Sequence, residues 1–133
     1  MRYSEERLRF QCKAPQQIPE ARIGTQSFGS VPGELIQITV GVNDVWGING
    51  SNQVFRYDPS SVSFNKQTGI LGQIGAGGDG VWGINLSQDI FRFDPSSDSW
   101  VQITGSLKNI AVGSGAGVFG VNSSHKVFTF VRP

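Results

Sequence analysis

The sequence predicts an all-β fold of propeller blades, each of four antiparallel strands. Three blades lie in this chain, half of a six-bladed β-propeller that a second chain completes. Three observations predict it. A five-residue core recurs: Val45-Trp46-Gly47-Ile48-Asn49, Val81-Trp82-Gly83-Ile84-Asn85 and Val118-Phe119-Gly120-Val121-Asn122, with aromatic positions 36 and 37 residues apart. Glycine is the commonest residue at 18, and charged residues reach only 16 %, against about 25 % in a typical soluble domain; this suits short strands joined by tight turns. Finally, the third unit stops short of a fourth strand, and a matching segment stands at the other end of the chain.

Within a unit the strands follow in order. Residues 35–40 alternate and are rich in β-branched side chains, and Gly41 ends them. The Val-Trp-Gly-Ile-Asn core is apolar and too short for a buried helix. Residues 49–52, Asn-Gly-Ser-Asn, are turn chemistry. Residues 54–57 form a third strand, and Asp58-Pro59-Ser60-Ser61 turns the chain again. A fourth strand covers 62–65 in the first unit and 99–103 in the second. The aromatic, aliphatic, Gly and Leu of Phe28, Val31, Gly33 and Leu35 align with Trp100, Ile103, Gly105 and Leu107. The predicted organisation is therefore an N-terminal segment over 1–25, then blades over 26–133. Within them, a closing strand spans 26–34, blade 1 spans 35–69, blade 2 spans 70–105 and blade 3 spans 106–133. Closed propellers have four to eight blades, so three imply either a two-chain, six-bladed homodimer or a piece of a longer protein.

The net charge of +1 gives no argument for nucleic acid or an acidic membrane surface. Arg2, Arg7, Arg9, Lys13 and Arg22 outnumber Glu5, Glu6 and Glu20 near the N-terminus, and this basic patch reads as solvated chain rather than a binding arm. Cys12 is the lone cysteine, which excludes an intrachain disulfide and leans toward a reducing compartment. No apolar run is long enough for a membrane helix. The first residues lack a signal-peptide core, so the expected location is cytoplasmic, or outside by a non-classical route.

On these residues the chain resembles the tectonin-repeat family, which includes tectonins, fish egg lectins and a horseshoe-crab lectin. The resemblance rests on the alternating strand ending in Val-Gly, the Val-Trp-Gly-Ile-Asn core, the aromatic-Arg-aromatic strand and Trp100 near the start of a fourth strand. It covers roughly residues 26–130. It implies a six-bladed propeller and a lectin that binds glycans or lipopolysaccharide, with a role in innate immunity or egg-surface recognition. The chain departs from the family at Phe64, Phe119 and Thr129, where the pattern expects Trp, Trp and Arg.

The candidate ligand-binding residues are Asn43, Asp44, Trp46, Asn49, Arg56, Asp79, Trp82, Asn85, Arg92 and Asn122. Sugars need aromatic faces for C–H surfaces and short polar groups for hydroxyls, and these residues offer both. Strand alternation nevertheless favours Trp46 and Trp82 packing between blades, which moves the expectation toward the loops at 42–44, 77–80 and 114–117. For Arg56 and Arg92, pairing with Asp58 or Asp94 or stacking on Trp is favoured over ligand contact. Residues 75–80 spell G-x-G-x-x-G but lead into a strand, so they make no dinucleotide site. The sequons at Asn49, Asn85 and Asn122 read as turns rather than modified sites. No catalytic residues, no metal site and no cofactor are expected: His125 is the only histidine, and no facing carboxylates are singled out. The leading expectation is a non-catalytic lectin; the alternative is a protein-interaction scaffold.

Overall fold

The computed structural model describes residues 25–132. The chain divides into two units, residues 1–30 and 31–133. The basic patch and Cys12 lie outside the described residues. Residues 25–30 carry no regular structure and are exposed.

Among the described residues the second unit is all β. The strands are β1 (Gln37–Val40), β2 (Val45–Ile48), β3 (Gln53–Asp58), β4 (Ser63–Ile70), β5 (Gln73–Gly77), β6 (Gly80–Ile84), β7 (Asp89–Asp94), β8 (Ser99–Ser106), β9 (Asn109–Val112), β10 (Val118–Val121) and β11 (Val127–Thr129). They form three antiparallel meanders, β1-β2-β3-β4, β5-β6-β7-β8 and β9-β10-β11. These are the three predicted blades, and the third lacks its outer strand. The fourth strands run to Ile70 and Ser106, further than the sequence suggested, across a register shift opposite Gln53 and Asp89. Residues 26–34 join no sheet in the single chain.

The repeated core now has a physical account. The glycine of each Val-Trp-Gly-Ile-Asn segment lies beneath a leucine: Gly47 under Leu35, Gly83 under Leu71 and Gly120 under Leu107. A Cβ at any of the three would collide with that leucine, so only glycine fits. The flanking Trp and Ile face the next blade. Trp46, Ile48 and Val54 are wholly buried against Leu71, Ile74, Ala76, Val81 and Phe93 of blade 2. Trp82, Ile84 and Ile90 repeat this against Leu107, Ile110 and Val118 of blade 3. Polar groups fix the stacking register. The Gln37 side-chain oxygen accepts from the Ile74 N–H at 2.6 Å, and Gln73 accepts from the Ile110 N–H one blade on. Thr39 Oγ1 accepts from the Ala76 N–H. These bonds occupy outward-facing strand amides that would otherwise be desolvated without a partner.

The turns are built alike. Asn49 Oδ1 accepts from the N–H groups of Ser51 and Gln53, Asn85 Oδ1 from Ser87 and Asp89, and Asn122 Oδ1 from Ser124 and Lys126. Asn52, Gln88 and His125 close these turns at positive φ. The next turn depends on Asp58 or Asp94. Each carboxylate accepts from the N–H and hydroxyl of the serine two residues on and from the following serine hydroxyl. Those bonds hold both carboxyls below the usual aspartate value, with the Ser60 and Ser96 side-chain bonds the largest cause.

Two predictions follow from this packing. Gly83→Ala should lower stability by about 1–3 kcal/mol, because Leu71 must leave its position. Gly50→Ala, where an added Cβ meets open space, should stay within about 0.5 kcal/mol of the parent; urea unfolding midpoints compare the two. Depressed folded-state values mean that the unfolded chain binds protons first as pH falls. The contribution of Asp58 and Asp94 is therefore complete above their ordinary value of 3.8 and is lost below it. An Asp58→Asn, Asp94→Asn double variant should show a shallower loss of thermal stability on acidification below that pH than the parent shows.

Candidate functional site

Trp46 on β2 and Arg56 on β3 are direct cross-strand neighbours, so their side chains share one face. The Arg56 guanidinium lies 5.1 Å from the centre of the Trp46 ring. Asp44, two residues before Trp46, projects to the same side. Its Oδ2 accepts the Trp46 indole N–H at 2.9 Å and meets the Arg56 guanidinium at 3.5 Å. A Cβ on Gly41 would overlap the Asp44 carboxylate, so this glycine makes room for it. The arginine's partner is thus Asp44 and not Asp58, whose oxygens belong to the serine turn. The expected stacking on Trp is present.

This Asp44–Arg56 pair sits at the mouth of the first blade junction, between two cavities. One, of about 390 Å³, is lined by Val42, Asn43, Asp44, Arg56, the glycines of the 77–80 loop, Val81, Phe93 and Pro95. The other, of about 310 Å³, shares Asn43, Asp44 and Arg56 and adds Tyr57, Asp58, Pro59, Asn65 and Gln67. The Arg56 side chain is 43 % exposed and Asp44 22 % exposed, so the pair keeps donors and acceptors facing solvent. Guanidinium, carboxylate and amide beside the apolar surfaces of Val42 and Pro95 can hydrogen-bond hydroxyls and pack against a C–H face at once.

The second junction is built differently. Gly80 stands where Asp44 stands in blade 1, so Arg92, 6.0 Å from the Trp82 ring centre, lacks that carboxylate. The Trp82 indole N–H donates instead to the Asp79 backbone carbonyl. The Asp79 carboxylate accepts from the Gly115 and Gly117 N–H groups at 2.8 and 2.9 Å, and Ser114 Oγ accepts from the Gly78 N–H. These bonds tie the two loops together.

The candidates therefore divide. Asn43, Asp44 and Arg56 come together at one open site. Asp79 is engaged in loop closure, and among the described residues Arg92 has no pair equivalent to Asp44–Arg56. Trp46 and Trp82 are 0 % and 2 % exposed and offer no face to a ligand. Asn49, Asn85 and Asn122 use their side-chain oxygens in their own turns. Val42 lies in the 42–44 loop that the sequence pointed to, whereas sequence reasoning missed Tyr57, Phe93 and Pro95 as site walls. Among the described residues no group of three or more His, Cys, Asp or Glu could hold a metal ion, and no helix is long and apolar enough to cross a membrane.

The fold and site define a protein of β-propeller blades with a polar cleft at a blade junction. The tectonin domain model matches residues 14–132, and the chain belongs to that family. The match begins upstream of residue 26, where the repeat first becomes readable. Comparison with curated proteins finds no match. Among solved structures, human WBSCR16 is similar in fold, with a TM-score of 0.60 and 14 % identity; the alignment covers 79 % of this chain and 35 % of that one. The chain thus spans about a third of that protein's length.

The geometry around Asp44 separates its two bonds. Asp44→Ala should cost about 1–3 kcal/mol, because the buried Trp46 N–H loses its acceptor. Asp44→Asn keeps an acceptor there and should cost under about 1 kcal/mol, since the ion pair is partly exposed. Denaturant titrations followed by tryptophan fluorescence measure the difference.

Proposed function

We propose that the chain is a non-catalytic lectin that binds surface glycans or lipopolysaccharide at the first blade junction and acts as a homo-oligomer. One observation carries this reading. Arg56, Asp44 and Asn43 converge, partly exposed, beside the apolar surfaces of Val42 and Pro95. A sugar ring offers the complement, with hydroxyls on its edge and C–H groups on its face. The same groups suit phosphorylated sugars, because a guanidinium donates two parallel hydrogen bonds to a phosphate. Single sites of this size bind weakly, and an assembly that carries several raises effective concentration at a surface.

A glycan array probed with the full chain, followed by calorimetry on the best binder, tests the reading. Arg56→Ala should weaken binding by at least about tenfold, the scale of a charged hydrogen bond lost. Arg92→Ala should leave it unchanged. A blank array, or equal binding by the Arg56→Ala variant, rejects the site.

A further inference from the structure

The outer strands carry a second series, with a step of 36 residues. Phe64 at the start of β4 packs over Gly33, with 3.5 Å from the phenyl ring to an added Cβ. Trp100 at the start of β8 packs over Gly69, and its indole N–H donates to the Thr68 carbonyl at 2.8 Å. Gly33, Gly69 and Gly105 share positive φ values of 132°, 110° and 129°, so the same backbone kink recurs three times. Among the described residues the third, Gly105, meets no aromatic ring and faces Ile90 instead. At that place a cavity of about 550 Å³ opens, lined by Trp82, residues 102–107, Phe119 and Phe130 among others. In the first junction Trp100 lies 6.0 Å from Trp46 and 5.3 Å from Phe93, centre to centre. In the second, Trp82 meets Phe130 at 4.7 Å, and among the described residues no outer strand pairs with β11.

The aromatic that lacks a glycine is Phe28, which is 36 residues before Phe64 and fully exposed. We infer that Phe28 of a second copy packs over Gly105, as Trp100 packs over Gly69. Residues 28–34 of that copy thereby add the outer strand beside β11.

The two ends of the blade stack are complementary in the same register. Ile38 and Val40 are 59 % and 68 % exposed, whereas their counterparts Ile74 and Ala76 are buried under blade 1. At the far end, Phe119 and Val127 are 47 % and 70 % exposed, whereas Trp46 and Val54 are wholly buried. Asn109 occupies the position of Gln37 and Gln73 and carries the same amide group on a side chain one methylene shorter, facing the Ile38 N–H of the second copy in this register. Such a head-to-tail contact either closes into a ring or runs on as a filament. Two copies give six blades, inside the range at which propellers close, so the occupant is one further copy and the ring ends there.

The inference specifies the joint of the homo-oligomer proposed above and does not depend on the glycan site. Native mass spectrometry of the full chain should give twice the 14.4 kDa chain mass. Phe28→Glu should weaken that dimer by at least about tenfold, while Phe28→Trp, which copies residue 100, should hold it as tightly as the parent. Phe28 is solvent-exposed in the single chain, so circular dichroism should show the blades folded in both variants, with Phe28→Glu losing at most the signal of the added strand. A photo-crosslinker at position 28 should attach to residues 102–107 in covalent dimers. A single-chain mass for the parent overturns the joint and the homo-oligomer together. A doubled mass unaffected by Phe28→Glu overturns the joint alone. In either case binding by the Arg56 site is read separately on the array.

Discussion

The indole N–H of Trp46 links the interior of this protein to its surface. The ring is wholly enclosed between blades 1 and 2, where Phe93 and Trp100 meet it edge-on at 5.0 and 6.0 Å. Edge-to-face packing of this kind stabilises beyond what the area buried by the ring supplies. A buried N–H must find an acceptor, and here the acceptor is the Asp44 carboxylate. Asp44 is thereby held where it meets Arg56, which stacks over the same ring. The polar cleft is thus positioned by the hydrophobic junction beneath it. The three equivalents form a graded series: Trp46 and Trp82 are buried, and Phe119, at the open end, is 47 % exposed and carries no N–H to anchor a loop.

The blades were legible in the sequence because the forces that make them act at every repeat. Each Val-Trp-Gly-Ile-Asn segment needs a ring for the next blade, a glycine for the leucine above and an asparagine for the turn, so the pattern recurs. The burial of Trp46 and Trp82 followed from strand alternation for the same reason. The asparagines were readable only as turn formers, which is how their side chains are used. Within the Asp-Pro-Ser-Ser turns the sequence concealed one feature: Val62, with φ of 52°, shares a left-handed conformation with Asp98. A β-branched residue is disfavoured there, and it is held by the bonds that Asp58 makes to both serines.

The site was less legible because it is not repeated. Asp44, Gly80 and Gly117 stand at equivalent places, and a reading guided by periodicity looks past whatever differs between units. The pairing of Arg56 with Asp58 was plausible from sequence proximity, but Asp58 already accepts three local hydrogen bonds. Asp44 is distant in sequence and adjacent in the sheet, since β2 and β3 place Trp46 opposite Arg56. A cross-strand neighbour of this kind depends on register, which is fixed by the pleat and the Asn49 turn together.

The two junctions show how one scaffold can either leave a polar cleft or tie its loops together. At the second, Asp79 accepts from two glycine N–H groups and the loops are tied to each other, so the carboxylate is consumed by structure. At the first, the loop carboxylate is one residue later, points along the strand face, and is held by a tryptophan from its own blade. It is 22 % exposed and lines the cleft. A one-residue shift of a single aspartate therefore separates loops tied to each other from loops that leave a polar cleft. The hydrophobic stacking of the blades is alike in both, so this change costs the fold little, and it is in the differences between repeats that the proposed recognition site arises.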